Sequence, residues 1–309
     1  MKVLSLFDGI SCGMLALKRA GVSVEKYDAF EIDKYAIQIS KKNFPEIVHH
    51  GNVFYGDFTQ FEGYDLLIGG SPCTYWSIAK KNREINPNGE GFRLFKEYER
   101  ALKESKCRYF LYENNNSTHK NIKDEISKYL GIQPIMINSS LVSAQQRKRC
   151  YWTNIPNVTQ PENKGILLND ILDNAVGWQD KSYCMTASYS GAIFSNTLER
   201  KQRTMAAVPI RIGQYGKGGQ GQRIYSVRGK SVTLSANGGG QGAKTGLYKI
   251  DLPDGDYVIR KLTPIEAERL QTLPDDYTAG ISNTQRYKCI GNAWTSDVIA
   301  HILRGLKNE

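Results

Sequence analysis

Apolar runs and amphipathic stretches alternate through the first half of the chain. "KVLSLF" (Lys2–Phe7) predicts a strand, and "GMLALKRAG" predicts a helix closed by Gly21. "VEKYDAFE" predicts a second strand ending at Glu31, and "DKYAIQISKKNF" a second helix. "YDLLIGG", "FRLFKEYERALKESK" and "RYFLYEN" continue the series as strand, helix and strand, the last ending at Glu113. This order predicts an α/β fold with a parallel sheet and helices on both faces. Ligands of such sheets sit at the carboxyl ends of the strands. Asp8, Glu31, Cys73 and Glu113 all lie at or just beyond such ends.

From about Ile155 the pattern breaks, and Tyr189–Tyr248 is rich in Gly, Ser, Thr and Gln. This predicts a second, smaller, irregular β-rich domain over residues 176–258. Residues 1–175, completed by 259–309, form the first domain in this reading. Order returns with "KLTPIEAERLQTL", a helix started by Thr263 and Pro264. "SDVIAHILRGL" has the spacing of a terminal amphipathic helix that packs back on the first domain.

Composition narrows the class. The chain has 309 residues, 40% hydrophobic and 23% charged, which is globular. A formal net charge of +10 favours a polyanionic partner, nucleic acid above all. The six cysteines form no CxxC pair and no zinc-like cluster with the four histidines. Reduced thiols, no metal and a cytosolic setting are expected. Asp8 breaks the first apolar run too early for a signal peptide, and no apolar run is long enough to span a membrane.

Candidate chemistry lies at the strand ends. "LFDGISCG" (Leu6–Gly13) runs from strand through a glycine-containing turn into a helix, and glycine lets main chain approach a ligand closely. A carboxylate at Glu31 can accept hydrogen bonds from ribose hydroxyls, and Asp57 in "YGDFTQF" from an adenine amino group. Without G-x-G-x-x-G a dinucleotide is disfavoured; three ordinary turns with solvated acids would read the same way. In "GGSPCTYWS" (Gly69–Ser77), Pro72 fixes one backbone angle beside Cys73 and holds the sulfur in one direction. A thiolate is the nucleophile where a positive field lies nearby; an inert buried thiol is the alternative. Glu113 follows the apolar "YFLY", where a carboxyl is disposed to hold or donate a proton. "SAQQRKRCYW" supplies Gln145, Arg147 and Arg149. Arginines two apart on a strand point the same way, so both are expected to reach one polar or anionic substrate, or to form a solvated basic patch. "SIAKKNREINPNGEGFR" (Ser77–Arg93), with Lys80, Lys81, Arg83 and Arg93, suits a mobile lid whose cations neutralise phosphates.

"FDGISCG", "EID", "GDFTQF", "GGSPCTYWS", "ENN", "QQRKR", "RKLTPIEAERLQTLP" and "QRYKCIGNAW" follow one another in that order. The series resembles the DNA cytosine-C5 methyltransferases in their unpermuted motif order, over nearly the whole chain. The resemblance implies a Rossmann-like methyltransferase sheet, a target-recognition domain, S-adenosyl-L-methionine as cofactor and S-adenosyl-L-homocysteine as product. It also implies double-stranded DNA as partner, a flipped-out target base and a monomer. By resemblance Cys73 is the Pro-Cys nucleophile and Glu113 the acid of the Glu-Asn motif. Arg147 and Arg149 are the paired arginines, with Arg149 the contact to the flipped base. The cofactor pocket falls to Phe7, Gly9, Ile10, Ser11, Cys12, Gly13, Glu31, Ile32, Asp57, Phe58, Pro72, Asn292 and Ala293. Gln285, Tyr287, Lys288 and Gly291 close it. Ser71, Asn115 and Trp294 depart from the family's common residues, and the latter two affect the shape of the pocket rather than the reaction.

"GKGGQGQRIYSVRGKSVTLSANGGGQGAKTGLY" (Gly216–Tyr248) resembles the recognition loops of GCGC-type bacterial and phage enzymes. That implies DNA contacts from Gln220, Arg223, Thr233, Ser235, Gly239 and Gly240, besides Ser77, Lys80, Lys81 and Arg83. Gln220 fills the flipped-out space in this reading, and Arg223 reads a guanine. Gln222 and Asn237 depart from the subgroup's Glu and Tyr, which leaves GCGC and GCNGC both open. The implied setting is the cytoplasm of a bacterial or phage-infected cell, nucleoid-associated, with a cognate restriction endonuclease as a candidate partner. RNA is the alternative substrate, and the glycine-rich recognition segment favours DNA. Retained Cys73, Glu113 and Arg149 oppose an inert DNA-binding regulator, and the missing G-x-G-x-x-G opposes a dinucleotide oxidoreductase.

Overall fold

The computed structural model describes residues 1–77, 81–175, 177, 179–193, 195, 197, 199–214, 223–226, 247–249 and 256–308. Its main sheet has seven strands: β1 (Lys2–Leu6), β2 (Lys26–Phe30), β3 (Val48–His49), β4 (Leu66–Gly69), β5 (Tyr109–Asn115), β6 (Ile135–Asn138) and β7 (Lys148–Thr153). Their order is β3-β2-β1-β4-β5-β7-β6. β1 to β5 pair in parallel, whereas β7 runs antiparallel to both β5 and β6. The all-parallel sheet expected from the sequence is therefore corrected at β7. The helices are α1 (Cys12–Ala20), α2 (Lys34–Asn43), α3 (Glu90–Ser105), α4 (Lys120–Leu130), α5 (Pro264–Leu270), α6 (Asn283–Asn292) and α7 (Ser296–Leu303).

Strand alternation divides the core in two. Leu66 and Ile68 of β4 and Leu111 of β5 join Leu17 of α1, Ile39 of α2 and Val298 and Ile302 of α7 on one face. Leu67, Phe110 and Tyr112 join Phe95 and Tyr98 of α3 and Ile122 and Ile126 of α4 on the other. A strand buried on both faces has no polar alternation, which is why Leu66–Gly69 carries no polar side chain. Full burial of each such side chain contributes about 1.5–3 kcal/mol. α7 packs on α1 as its spacing predicts, so the end of the chain joins the first layer of the core. α5 starts as expected: Thr263 Oγ1 accepts from the Glu266 N–H, the Glu266 side chain accepts from the Thr263 N–H, and Pro264 needs no donor there.

A second sheet of four strands has the order β10-β9-β8-β11, with β8 (Met205–Gln214), β9 (Arg223–Ser226), β10 (Leu247–Lys249) and β11 (Asp256–Lys261). β8 pairs antiparallel with β9 and β11, and β9 pairs parallel with β10. A third apolar cluster joins Met185, Tyr189 and Met205 to Leu262, Leu270, Tyr287 and Ile290.

Candidate active site

The carboxyl ends of β2, β1, β4 and β5 lie side by side in the sheet. At the end of β4 the chain passes close to its neighbours. A Cβ on Gly69 would lie 2.6 Å from the Leu6 carbonyl, and one on Gly70 3.0 Å from both the carbonyl and Oε2 of Glu113. Glycine at both places is a packing requirement. The buried Ser71 Oγ lies 2.6 Å from the Tyr112 hydroxyl, and Asn114 Nδ2 donates to the Ser71 carbonyl at 3.2 Å. Asn114 thus ties the end of β5 to the turn before Cys73. Pro72 then begins a short 3-10 turn, Cys73–Tyr75. Beyond it the fully buried Trp76 donates from Nε1 to Glu84 Oε2 at 3.0 Å. Cys73, half-buried, is held between these two anchors.

Glu113 and Arg149 project from one face of the β5–β7 pair, offset by two positions in register. Glu113 is buried, and its Oε1 lies 2.9 Å from Arg149 Nε. Its Oε2 accepts from Trp294 Nε1, also at 2.9 Å. Burial pushes the Arg149 guanidinium down, but Cys184, Glu113 and Cys73 outweigh it and raise its pKa, so Arg149 stays charged. Arg149 and Cys73 are close enough for their charges to interact.

Arg147 precedes β7, and its guanidinium meets that of Arg149 at the Cys184 sulfur. It is 4% exposed. Its Nη1 donates to the Met185 carbonyl at 2.9 Å, and its Nη2 to the carbonyls of Ala293 at 2.9 Å and Gly291 at 3.3 Å. Arg147 thereby also braces main chain. Gln145, fully buried, braces likewise on Leu270 and Gln271.

Sequence reasoning missed Cys184. Its sulfur lies 3.3 Å from Arg147 Nη1 and 3.8 Å from Arg149 Nη2. Burial pushes its thiol up, but the two guanidinium charges and their hydrogen bonds outweigh this and lower its pKa. No spacing signal points to it, because its partners are 37 and 35 residues away.

The expected cofactor residues divide by placement. The β1–α1 turn has left-handed Phe7, Gly9 and Ser11, with φ of 57°, 59° and 59°. This curls the Gly9 N–H onto Glu31 Oε2 at 2.8 Å, while Glu31 Oε1 accepts from the N–H groups of Ile32 and Asp33. Burial raises the Glu31 pKa against those hydrogen bonds. Ile32 beside it is 72% exposed, an apolar side chain open for a flat ring to cover. Asp57 is exposed and caps a short helical turn through Thr59, which lowers its pKa. Pro72 and Asn292 are also exposed. Ile10, Ser11, Cys12 and Phe58 instead turn their side chains into the interior, none more than 2% exposed. Gly13 packs against Ile68 and Tyr27. Burial drives the Cys12 thiol up to about 12, so it stays protonated. Ala293 is buried, and Lys288 closes this side through a 2.7 Å ion pair with Asp33, the cap of α2.

Of the expected DNA contacts, Ser77 is half-buried and Lys81 exposed, and Arg83 Nη1 donates to the Ser117 carbonyl at 2.7 Å. Lys80, Gln220, Thr233, Ser235, Gly239 and Gly240 lie outside the described residues, as do Gln222 and Asn237. Arg223 is the first residue of β9.

Comparison with known proteins agrees with this arrangement. The pattern of the family "C-5 cytosine-specific DNA methylase" matches residues 1–308. The type II methyltransferase M.HhaI of Haemophilus parahaemolyticus is 31% identical, over 98% of this chain and 93% of that protein. The type II methyltransferase M.NlaX of Neisseria lactamica is 28% identical, over 99% of this chain and 96% of its own length. Among solved structures, the Entamoeba histolytica methyltransferase EhMeth superposes with a TM-score of 0.67 at 18% identity, over 100% of this chain and 98% of that one.

Proposed function

Because the chain belongs to the C-5 cytosine-specific DNA methylases, we propose that it carries out DNA cytosine-5 methylation with Cys73 as nucleophile and the Glu113–Arg149 pair as the groups that hold the base. S-adenosylmethionine supplies an electrophilic methyl group to this reaction. The exposed Ile32, the Glu31 carboxylate with a lone pair left on Oε2, and the Gly9 turn fit its nucleoside, with Asp57, Pro72 and Asn292 around them.

Cytosine C5 is a poor nucleophile. Addition of the Cys73 sulfur to C6 forms an Sγ–C6 bond and shifts the ring electrons towards C5. Glu113, by protonating or hydrogen-bonding N3, relieves the charge that builds on the ring. Arg149 fixes the O2 edge of the base. Once C5 has taken the methyl group and the demethylated cofactor has departed, loss of the C5 proton to a base returns the electron pair, and the Sγ–C6 bond breaks to release Cys73. The target base must leave the duplex, at a cost of a few kcal/mol. Extrusion is assigned to the recognition segment within 176–258, with residues 1–175 and 259–309 as the catalytic part. The loop resemblance supports a GC-containing duplex site, GCGC or GCNGC. The enzyme acts as a monomer on cellular or phage DNA in this reading, with a cognate endonuclease as candidate partner.

The observation that carries the proposal is Cys73 held in a fixed turn beside an ion pair at the ends of adjacent strands. The test is base-resolution methylation sequencing of plasmid from a host lacking its own cytosine methylases. Wild type is expected to leave methylcytosine in one short motif, and Cys73→Ala none. Full methylation by Cys73→Ala overturns the nucleophile. No DNA methylation by soluble, cofactor-binding wild type overturns the proposed activity in favour of an RNA substrate or a silenced enzyme.

A further inference from the structure

We propose that Trp294 is a positioning residue for Glu113, fixing which carboxylate oxygen and lone pair meet the cytosine ring; this rests on the function proposed above. A glutamate carboxylate rotates readily about its last torsion, which has broad wells. Two donors are needed to stop it. Arg149 holds Oε1, and the Trp294 indole N–H holds Oε2, each at 2.9 Å.

The indole is itself well anchored. Ala293, one residue before, has its carbonyl held by Arg147 at 2.9 Å and by Gln271 at 3.3 Å. Thr295, one residue after, is 2% exposed, donates to Gln271 Oε1 and accepts from Ser139. Gly70 closes the contact from below, since a Cβ there would lie 3.0 Å from Glu113 Oε2 and 3.4 Å from Trp294 Nε1. Three segments remote in sequence meet at one carboxylate oxygen.

The chemistry of the donor matters. An indole N–H donates and cannot accept, so Oε2 facing Trp294 must be an acceptor. Without that N–H the carboxyl is freer to rotate.

The experiment compares wild type and Trp294→Phe, which keeps an aromatic ring and removes the N–H. Hydrogen bonds to charged groups predict a fall in single-turnover methyl transfer of roughly ten- to a hundredfold. The KM for S-adenosylmethionine is expected to change by no more than about twofold, because the loss is in orientation rather than in cofactor binding. In a Glu113→Ala background, Trp294→Phe is expected to have no further effect.

An unchanged rate, an equal loss in the Glu113→Ala background, or a raised cofactor KM with normal turnover each overturn the proposal. If Trp294→Phe does not fold, Trp294→Met tests the same loss of the N–H. Methylation by wild type is measured first. Its absence removes the proposed function itself, whereas active wild type with an indifferent Trp294 variant removes only this inference.

Discussion

Arg147→Met separates the two arginines that lie two residues apart in one motif. Methionine keeps most of the aliphatic stem and removes the guanidinium. Arg147 is 4% exposed, so water cannot replace its donors. Its bonds to Met185 and Ala293 are both 2.9 Å, and the third, to Gly291, is 3.3 Å. A hydrogen bond from a charged donor contributes about 1.5–3 kcal/mol. Counting only the two short bonds gives a loss of about 3–6 kcal/mol, because no new donor meets the vacated carbonyls. In a chain of this size that corresponds to a fall in Tm of roughly 5–9 °C. The assay is thermal unfolding followed by circular dichroism, with single-turnover methyl transfer measured well below the melting range. The reading expects the methyl-transfer step to survive at saturating cofactor, and the KM for S-adenosylmethionine to rise as Gly291 and Ala293 lose their tether. A variant that melts within about 2 °C of wild type and loses the chemical step as Arg149→Met does would refute it.

Two further outcomes follow from the same geometry. Gly70→Ala places a Cβ 3.0 Å from Glu113 Oε2, so turnover should fall roughly tenfold or more for a stability loss of only about 1–3 kcal/mol, and unchanged kcat would show that the carboxylate has room to move. The Cys184 thiol has a folded pKa below its ordinary value of 9.0, so its stabilising contribution is present above that value and lost as pH falls through the lowered one. The stability gap between wild type and Cys184→Ser, measured by urea unfolding, should therefore be wider near pH 9 than near pH 6; a constant gap contradicts the thiolate between two guanidinium groups.

How much of this was legible in the sequence depends on the range of the forces involved. The ends of β4 and β5 are legible because a buried strand announces its end locally, with Gly69, Gly70 and Pro72 after one apolar run and Asn114 after another. The Thr263–Glu266 cap is local in the same way. Strand parity predicts that Arg147 and Arg149 point the same way, and both guanidinium groups reach Cys184, although β7 begins only at Lys148. The direction of Arg147 is set by carbonyls 38, 144 and 146 residues away. The reversed direction of β7 is likewise a matter of nonlocal pairing. Helix α4 was readable, with Ile122, Ile126 and Leu130 buried at a spacing of four, and was not predicted. Ile10, Ser11, Cys12 and Phe58 were assigned to the cofactor pocket by motif position, which identifies a segment without saying which side chains face the core.

The nonlocal contacts have a common physical origin at the end of α6. The last carbonyls of a helix have no partner within it and must find donors elsewhere. Gln271 Nε2 donates to the Ile290 carbonyl at 2.9 Å, and Arg147 reaches the Gly291 and Ala293 carbonyls. Gln145, two residues before Arg147, holds Gln271 Oε1 from the other side at 2.9 Å. The segment before β7 therefore caps a helix that lies more than 140 residues further along the chain. Trp294 follows directly from that cap and reaches Glu113. Arg149 reaches the same carboxylate from β7 itself. Two residues of one short motif thus fix opposite oxygens of Glu113, one directly and one through the carbonyl cap and Trp294.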